Sequence, residues 1–532
     1  MADRRFSCGH QEVIGLTSNS ACSIRRRTGL SSSCGILFFS ILVIAGCTGR
    51  QDSGSKEQVV LRIGVPEADV STPDVGLPQV ARYFNVEGLT AKAQDGRSVP
   101  RLARSWSSTP DGLEWRFVLR DDVVFHDGTK LTAHVARDSL AASLPRPATR
   151  ELYPGLADVV ELKAASDTEL VITLKRRSAF LIDDLEFPIT RGEGKSRVGT
   201  GPFKIASESA NEIVMDRHGS YHQGTPQIDR LVLRPYATLR TAWASLMRQE
   251  IDVLWDVSHE SAEFVGSRDV EMHSYLRNYV YLVAFNSGSS KLASPAVRRA
   301  LNAAVDRARL IGATLRGHGL AAYGPLWPHH WAYDASLPGY TFDPSMASSI
   351  LDAAGLKQSN REGGGPRLSF ECLLPQNYAV LERLGLEVQK QLYDIGVDMQ
   401  LKAVSTEEFD GRIRKGEFEA VLFPMISAPT FARAYQFWRS TNGFRGLNVF
   451  GYRSAAADRW FDALRYSANE AEFRAATSQL QRTLLEDPPA LFLAWQERTR
   501  AISRRFDVRV ENGRDPILSL WQWRPTVSSQ TN

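Results

Sequence analysis

The stretch VPRLARSWSSTPDGLEWRFVLRDDVVFHDGTKLTA, Val99 to Ala133, sets the reading of the whole chain. Within it Trp115, Phe117 and Leu119 fall on every second position, and Asp121-Asp122 follows as a turn. A period of two that runs into a turn marks a half-buried antiparallel pair. Moving outward, VVELKAASDTELVITLK (Val159–Lys175) repeats the device around Ser166-Asp167, and GPFKIASESANEIVMDR (Gly201–Arg217) forms a third hairpin. VVLRIGVP (Val59–Pro66) reads as the first strand. Residues 59–275 are therefore rich in strands, with a few helices.

The second half changes period. In SPAVRRALNAAVDRARLIGATLRG, Ser294 stands as N-cap and Pro295 at the first helical position. Val297, Leu301, Ala304, Val305, Ala308 and Ile311 lie along one face of a single helix. YAVLERLGLEVQKQLYDIG (Tyr378–Gly396) is a second amphipathic helix, with Gly396 placed to cap its end. The strand VDMQLKAVS follows, then Ser405 and Glu408 in a capping-box pattern. Strand, helix, strand, helix is the signature of an α/β unit.

Toward the N-terminus, Arg25–Arg27 precede Gly35–Gly46, a run of apolar and small residues too short to span a membrane as a helix. Basic flank, short apolar run and small residues make residues 1–46 a secretory signal peptide. Ile44-Ala45-Gly46-Cys47 resembles the lipobox of bacterial lipoproteins, which implies cleavage before Cys47 and acylation of its thiol. Residues 47–58 read as a flexible linker. The 532 residues carry a formal charge of +4; without residues 1–46, 59 bases face 58 acids, for +1. That balance offers no electrostatic case for nucleic acid. Cys8, Cys22 and Cys34 leave with the signal, so Cys372 has no intrachain partner once Cys47 is acylated. In LSFECLLP, Cys372 reads as a small core residue.

Catalytic patterns are missing. RGEGKS (Arg191–Ser196) imitates a phosphate loop, but Ile189 occupies a position that needs glycine. His218 and His222 flank a turn-like Gly-Ser-Tyr and, with the adjacent His329 and His330, read as surface or loop histidines rather than zinc ligands. His-Glu-x-x-His, Gly-x-Ser-x-Gly and Cys-x-x-Cys motifs do not occur. No cofactor and no metal site are expected.

Several stretches resemble the extracellular solute-binding proteins, family 5, the receptors of peptide, nickel and related ABC importers. Pro100, Leu102, Ala103, Ser105 and Trp106 match its Pro-x-Leu-Ala-x-Ser-Trp motif. Asp111-Gly112, then Phe117, Leu119 and Arg120, then Phe125-His126-Asp127-Gly128 continue the match. GTGPF (Gly199–Phe203), EIDV (Glu250–Val253), Phe285-Asn286 with VRRALNAAVDRARLI, and FDPSMASSILDAAG (Phe342–Gly355) follow in the family's order. The resemblance runs from about Val59 to about Trp523. It implies an α/β, two-lobed periplasmic-binding-protein fold (class II, three-domain type) with a hinge and an inter-lobe ligand cleft. Lobe I would comprise 59–90, 196–276 and 495–532, an inserted domain 91–195, and lobe II 277–494. His126-Asp127-Gly128 becomes a turn under this reading, since Asp-Gly is a common turn pair.

The resemblance further implies a monomeric, lipid-anchored receptor, exported to the periplasm or cell exterior. It would capture a peptide-like or other small solute and hand it to permease and ATPase subunits. An exported hydrolase of peptide or glycan, or a sensor or chaperone-like module on the same fold, is the alternative. Peptide-binding members often carry Gly-Trp-x-Ala-Asp after a lobe II strand, where the acid pairs with the peptide's ammonium. The aligned loop reads Pro424-Met425-Ile426-Ser427-Ala428, with neither the aromatic nor the acid. An unpaired ammonium there would be costly, so a less charged solute, a blocked peptide or a sugar-like ligand is expected. Asn286, Trp327, Phe423, Met425 and Trp438 are the expected lining residues, apolar and aromatic walls being usual in such clefts.

Overall fold

The structure, a computed structural model, describes residues 58–66, 76–192, 194, 197–257, 267–358, 365–427, 429–440, 447–511 and 513–526. The signal segment, Cys47, the linker up to residue 57 and Ala428 lie outside them.

Among the described residues, eleven strands join one sheet. Across it run Val397–Val404, Leu368–Pro375, Ala420–Ile426, Val270–Phe285, Ala490–Ser503, Val253–Leu254, Val60–Pro66, Arg230–Tyr236, Ile213–Arg217 and Phe203–Glu208. Gly319–Ala321 pairs with Ala490–Ser503 off this path. Two long antiparallel strands, Val270–Phe285 and Ala490–Ser503, hold the middle and belong to both halves of the molecule. Their register slips between Leu276, opposite Glu497, and Val280, opposite Trp495. Three residues, Arg277 to Tyr279, thus face the single Gln496, and such a bulge bends and twists the ladder.

Beyond the slip, the period of two sorts side chains cleanly. Val280, Leu282 and Ala284 enter one core, which includes Met425, Trp438, Phe461 and Phe492. Tyr281, Val283 and Phe285 enter the other, with Leu301, Cys372, Leu384 and Leu422. On the far side of the slip a third core gathers Leu61, Ile63, Phe84, Leu231 and Trp523. Cys372 is 0% exposed in the strand Leu368–Pro375, and burial pushes its thiol above the ordinary range.

A separate four-stranded sheet orders Ala103–Ser108, Glu114–Leu119, Glu169–Leu174 and Val159–Ala164. Its core holds Phe117, Leu119, Phe125, Leu140 and Ile172. The expected hairpins at Ser166-Asp167 and within Gly201–Arg217 form. The pair expected across Asp121-Asp122 does not. Glu114–Leu119 is instead an inner strand, bonded to Ala103–Ser108 and Glu169–Leu174, while Val124 bridges Lys130. With both edges taken, its backbone groups have no bond left for Val123–Phe125.

The helix expected from Pro295 breaks in two, Pro295–Ala303 and Arg307–Leu315. Asp306 accepts from the Arg309 amide at 3.0 Å and starts a new helix, a cap that outcompetes continuation. Ala308 consequently faces solvent, and Ser294 makes no side-chain cap bond. Ser405 accepts from the Glu408 amide at 3.1 Å, the forward half of a capping box. In GTGPF, a Cβ on Gly199 would sit 1.9 Å from the Asn85 carbonyl oxygen, and one on Gly201 2.3 Å from that of Phe84. Only glycine lets these two backbone segments touch.

Candidate functional site

A cleft of about 840 Å³ opens beside the register slip. Tyr275 to Tyr279 form its back. Tyr83, Trp255 and Trp521 supply one wall; Lys92, Tyr153, Asp184 and Glu186 supply a second; Trp327, Ile426, Thr430 and Arg433 close the third. Volume and mixed lining match a small-molecule site.

Most charges in the cleft have partners. Arg500 stacks its guanidinium 3.8 Å from the Trp255 ring centroid and 5.1 Å from that of Tyr275. Its fork donates to both Asp515 oxygens at 2.5 and 2.6 Å, and Nη1 donates to the Trp255 carbonyl. At 2% exposed, it holds the floor rigid. Glu87 accepts from Tyr221 Oη and Thr200 Oγ1, both at 3.0 Å, and lies 3.1 Å from His222 Nε2 and 3.5 Å from Arg101 Nη1. Lys92 pairs with Asp183 and donates to Ser98 at 2.7 Å.

A smaller set is differently placed. Arg433, on the helix Phe431–Trp438, donates to the Leu152 carbonyl at 2.9 Å and to Gln436 Oε1 at 3.2 Å, and lies 5.4 Å from the Tyr153 ring centroid. It forms no ion pair among the described residues. Asp184 is 5% exposed and accepts from the Gly155 amide at 2.6 Å. Burial pushes its carboxyl up to about 7, against the opposing pull of that amide and of the Arg433 charge. Glu186 is exposed to the cleft; its amide donates to the Asp183 carbonyl at 3.5 Å, but its side chain has no hydrogen bond or ion pair among the described residues.

Of the five expected lining residues, the structure brings only Trp327 to the cleft. Asn286 is 6% exposed and donates to the Gly416 and Phe418 carbonyls, tying a loop. Trp438 is 0% exposed against Phe450, Tyr452 and Phe492. Met425 is buried in the same core, and Phe423 packs 5.6 Å from Phe450. Phe423, Met425 and Trp438 serve packing because the strand Ala420–Ile426 and the helix Phe431–Trp438 turn those side chains into the core.

His218, His222, His329 and His330 all lie in loops, as expected, but only His329 is exposed. His218 is 7% exposed, the His222 side chain 1%, and His330 4%. His330 stacks 3.9 Å from Phe431, and burial holds it down to about 4. His126 meets the Gly201 carbonyl at 3.0 Å beside a turn with Gly128 at φ +83°, and burial lowers it to about 4 as well. Among the described residues no group of three or more His, Cys, Asp or Glu could hold a metal.

Sequence reading missed Arg433, Asp184 and Glu186. Their signal was present: IDDLE lies between Phe180-Leu181 and Phe187, and Arg433 is the sole charge in FARAYQFW.

Residues 97–445 match the family described as "Bacterial extracellular solute-binding proteins, family 5 Middle". The oligopeptide-binding protein AppA of Bacillus subtilis is 22% identical over 94% of this chain and 99% of its own length. The nickel-binding periplasmic protein of Escherichia coli is 27% identical over 70% of this chain and 76% of its own. The ABC transporter substrate-binding protein CtaP of Listeria monocytogenes superposes with a TM-score of 0.75 at 20% identity, covering 88% of this chain and all of that one. The fold is the two-lobed α/β architecture of periplasmic binding proteins, and the chain belongs to the family 5 bacterial extracellular solute-binding proteins of the peptide and nickel type.

Proposed function

We propose that this chain is the lipid-anchored receptor of an ABC importer, capturing a peptide-like or other small solute by hinge closure and delivering it to a permease. The cleft of about 840 Å³ behind the slip in the two long strands carries the reading. A solute touching both sides of such a cleft binds the closed arrangement better than the open one and shifts the population toward it. Lobe I is taken as 59–90, 196–276 and 495–532, the inserted domain as 91–195, and lobe II as 277–494. Acylated Cys47 provides the anchor, with several buried chains giving lasting attachment. Trp327 lines the solute. The relatives' names, an oligopeptide-binding and a nickel-binding protein, frame the solute class.

Native mass spectrometry of residues 48–532, purified without refolding, tests this. A discrete excess mass lost on denaturation is expected. A bare polypeptide that also gains no mass from extracts of its host's growth medium would contradict it.

A further inference from the structure

Once the paired charges are set aside, the cleft holds a residue of unspent ones. Asp184 and Glu186 come from the 91–195 segment, Arg433 from the helix Phe431–Trp438, and Arg82 from the helix Leu77–Asn85. All four line the same cleft, and so does Tyr153. Arg433 lies 5.4 Å from the Tyr153 ring centroid, which ties the basic side of the set to this residue. Yet none of the four forms an ion pair with another, unlike Lys92 with Asp183 or Arg500 with Asp515. A second observation is independent of charge. Trp327 lines this cleft at 6% exposed, and its indole N–H is buried without an acceptor. A buried donor left unpaired is costly, and a bound acceptor reached as the cleft adjusts would relieve it.

We propose that this cradle is a subsite for a zwitterionic solute, with Asp184 and Glu186 taking its cationic nitrogen and Arg433 and Arg82 taking its carboxylate. The assignment rests on the receptor reading above and narrows its solute class. It also replaces the expectation of a less charged solute. That expectation considered only the loop Pro424–Ala428; the 91–195 segment supplies two carboxyls to the same cleft. Tyr153 lines the same cleft with Arg433 5.4 Å from its ring centroid, and its hydroxyl can donate to the carboxylate. A solute lacking either charge would leave one pair unsatisfied, which is the source of selectivity.

The test uses residues 48–532 purified natively as wild type, Glu186→Gln, Asp184→Asn and Arg433→Gln. Solute released by acid is passed over a cation exchanger in acid and an anion exchanger in alkali. Solute from wild type should bind both. Each variant should carry about tenfold less of it, since a desolvated charge contact is lost. The thermal midpoint of solute-stripped Glu186→Gln should equal that of stripped wild type, which separates lost binding from lost folding. Solute retained by only one exchanger or by neither overturns the assignment, as does full occupancy of folded Glu186→Gln. If wild type carries no solute and binds neither trialanine nor maltotriose, the receptor reading itself falls, and this subsite falls with it.

Discussion

Among the charged groups where the 91–195 segment meets the 277–494 half, two sets are built on opposite plans. At the first, Asp158 is 0% exposed and meets Arg465 Nη2 at 2.6 Å, Arg176 at 3.0 Å and Lys175 at 3.4 Å. Arg465 also donates to the Pro154 carbonyl at 2.7 Å, and its own carbonyl accepts from the Ala179 amide. Each charge there has a protein counter-charge, although Arg465 Nε itself is buried without an acceptor. At the second, Asp184, Glu186 and Arg433 face one cleft without pairing. Charges paired with one another fix the relative placement of two bodies, whereas charges left open are available to a third. The first contact belongs to structure, the second to binding.

The largest effect is expected where the first contact is cut. Asp158→Asn strips Arg465 of its buried counter-charge and should cost about 3 kcal/mol of stability, as for other broken buried pairs. A urea titration reads this directly, and a loss below about 1 kcal/mol would erase the distinction between the contacts. Gly96 comes next, on the same seam. It sits at φ +79°, and an added Cβ would lie 2.5 Å from His330 Cδ2 and 2.9 Å from the Pro429 carbonyl oxygen. Gly96→Ala should cost about 1–2 kcal/mol through strain and crowding.

A pH dependence sharpens the second contact. The folded Asp184 carboxyl titrates near 7, above its ordinary 3.8, chiefly through burial, with Arg433 and Lys92 opposing and Asp183 adding to the rise. The folded state therefore holds a proton that the unfolded state has released between these values. Its contribution to stability is full below pH 3.8 and is lost as pH rises through about 7. Asp184→Asn, which keeps an acceptor for the Gly155 amide, should flatten that component of the urea midpoint against pH. An unchanged slope would place the titration elsewhere. The smallest effect belongs to the surface. Arg97 meets Glu470 at 2.5 Å, but the side chains are 40% and 60% exposed. Glu470→Gln should change stability by no more than about 0.5 kcal/mol.

Much of this architecture was legible in the chain. Alternation at Val159–Lys175 and Gly201–Arg217 encodes local hairpins, and both form. The pair read across Asp121-Asp122 failed because Glu114–Leu119 is taken on one edge by Ala103–Ser108, its hairpin neighbour just before it, and on the other by Glu169–Leu174, some fifty residues after. Local periodicity names a strand but not its neighbours. The cleft was harder for a related reason. Phe423, Met425 and Trp438 look alike in sequence whether they face a core or a solute, and a sheet with cores on both faces takes such residues on either side. Trp327 reached the cleft from a loop rich in proline and aromatics. The open charges were the more readable signal: carboxyls among Phe180, Leu181, Leu185 and Phe187 are expensive to desolvate, so their presence calls for a reason.

The comparison meets its most direct test in Glu186→Gln, measured by urea midpoint beside wild type in two states. With both proteins stripped of solute by unfolding and refolding, the midpoints should coincide, since the Glu186 side chain has no hydrogen bond or ion pair to lose among the described residues. With both purified natively, wild type should be higher, because bound solute stabilises the folded state in proportion to its affinity. A lower midpoint for the stripped variant would make Glu186 a structural residue. Equal midpoints in the native preparations would mean that the open charges of the cleft do not hold solute, and the contrast between the two contacts would fail.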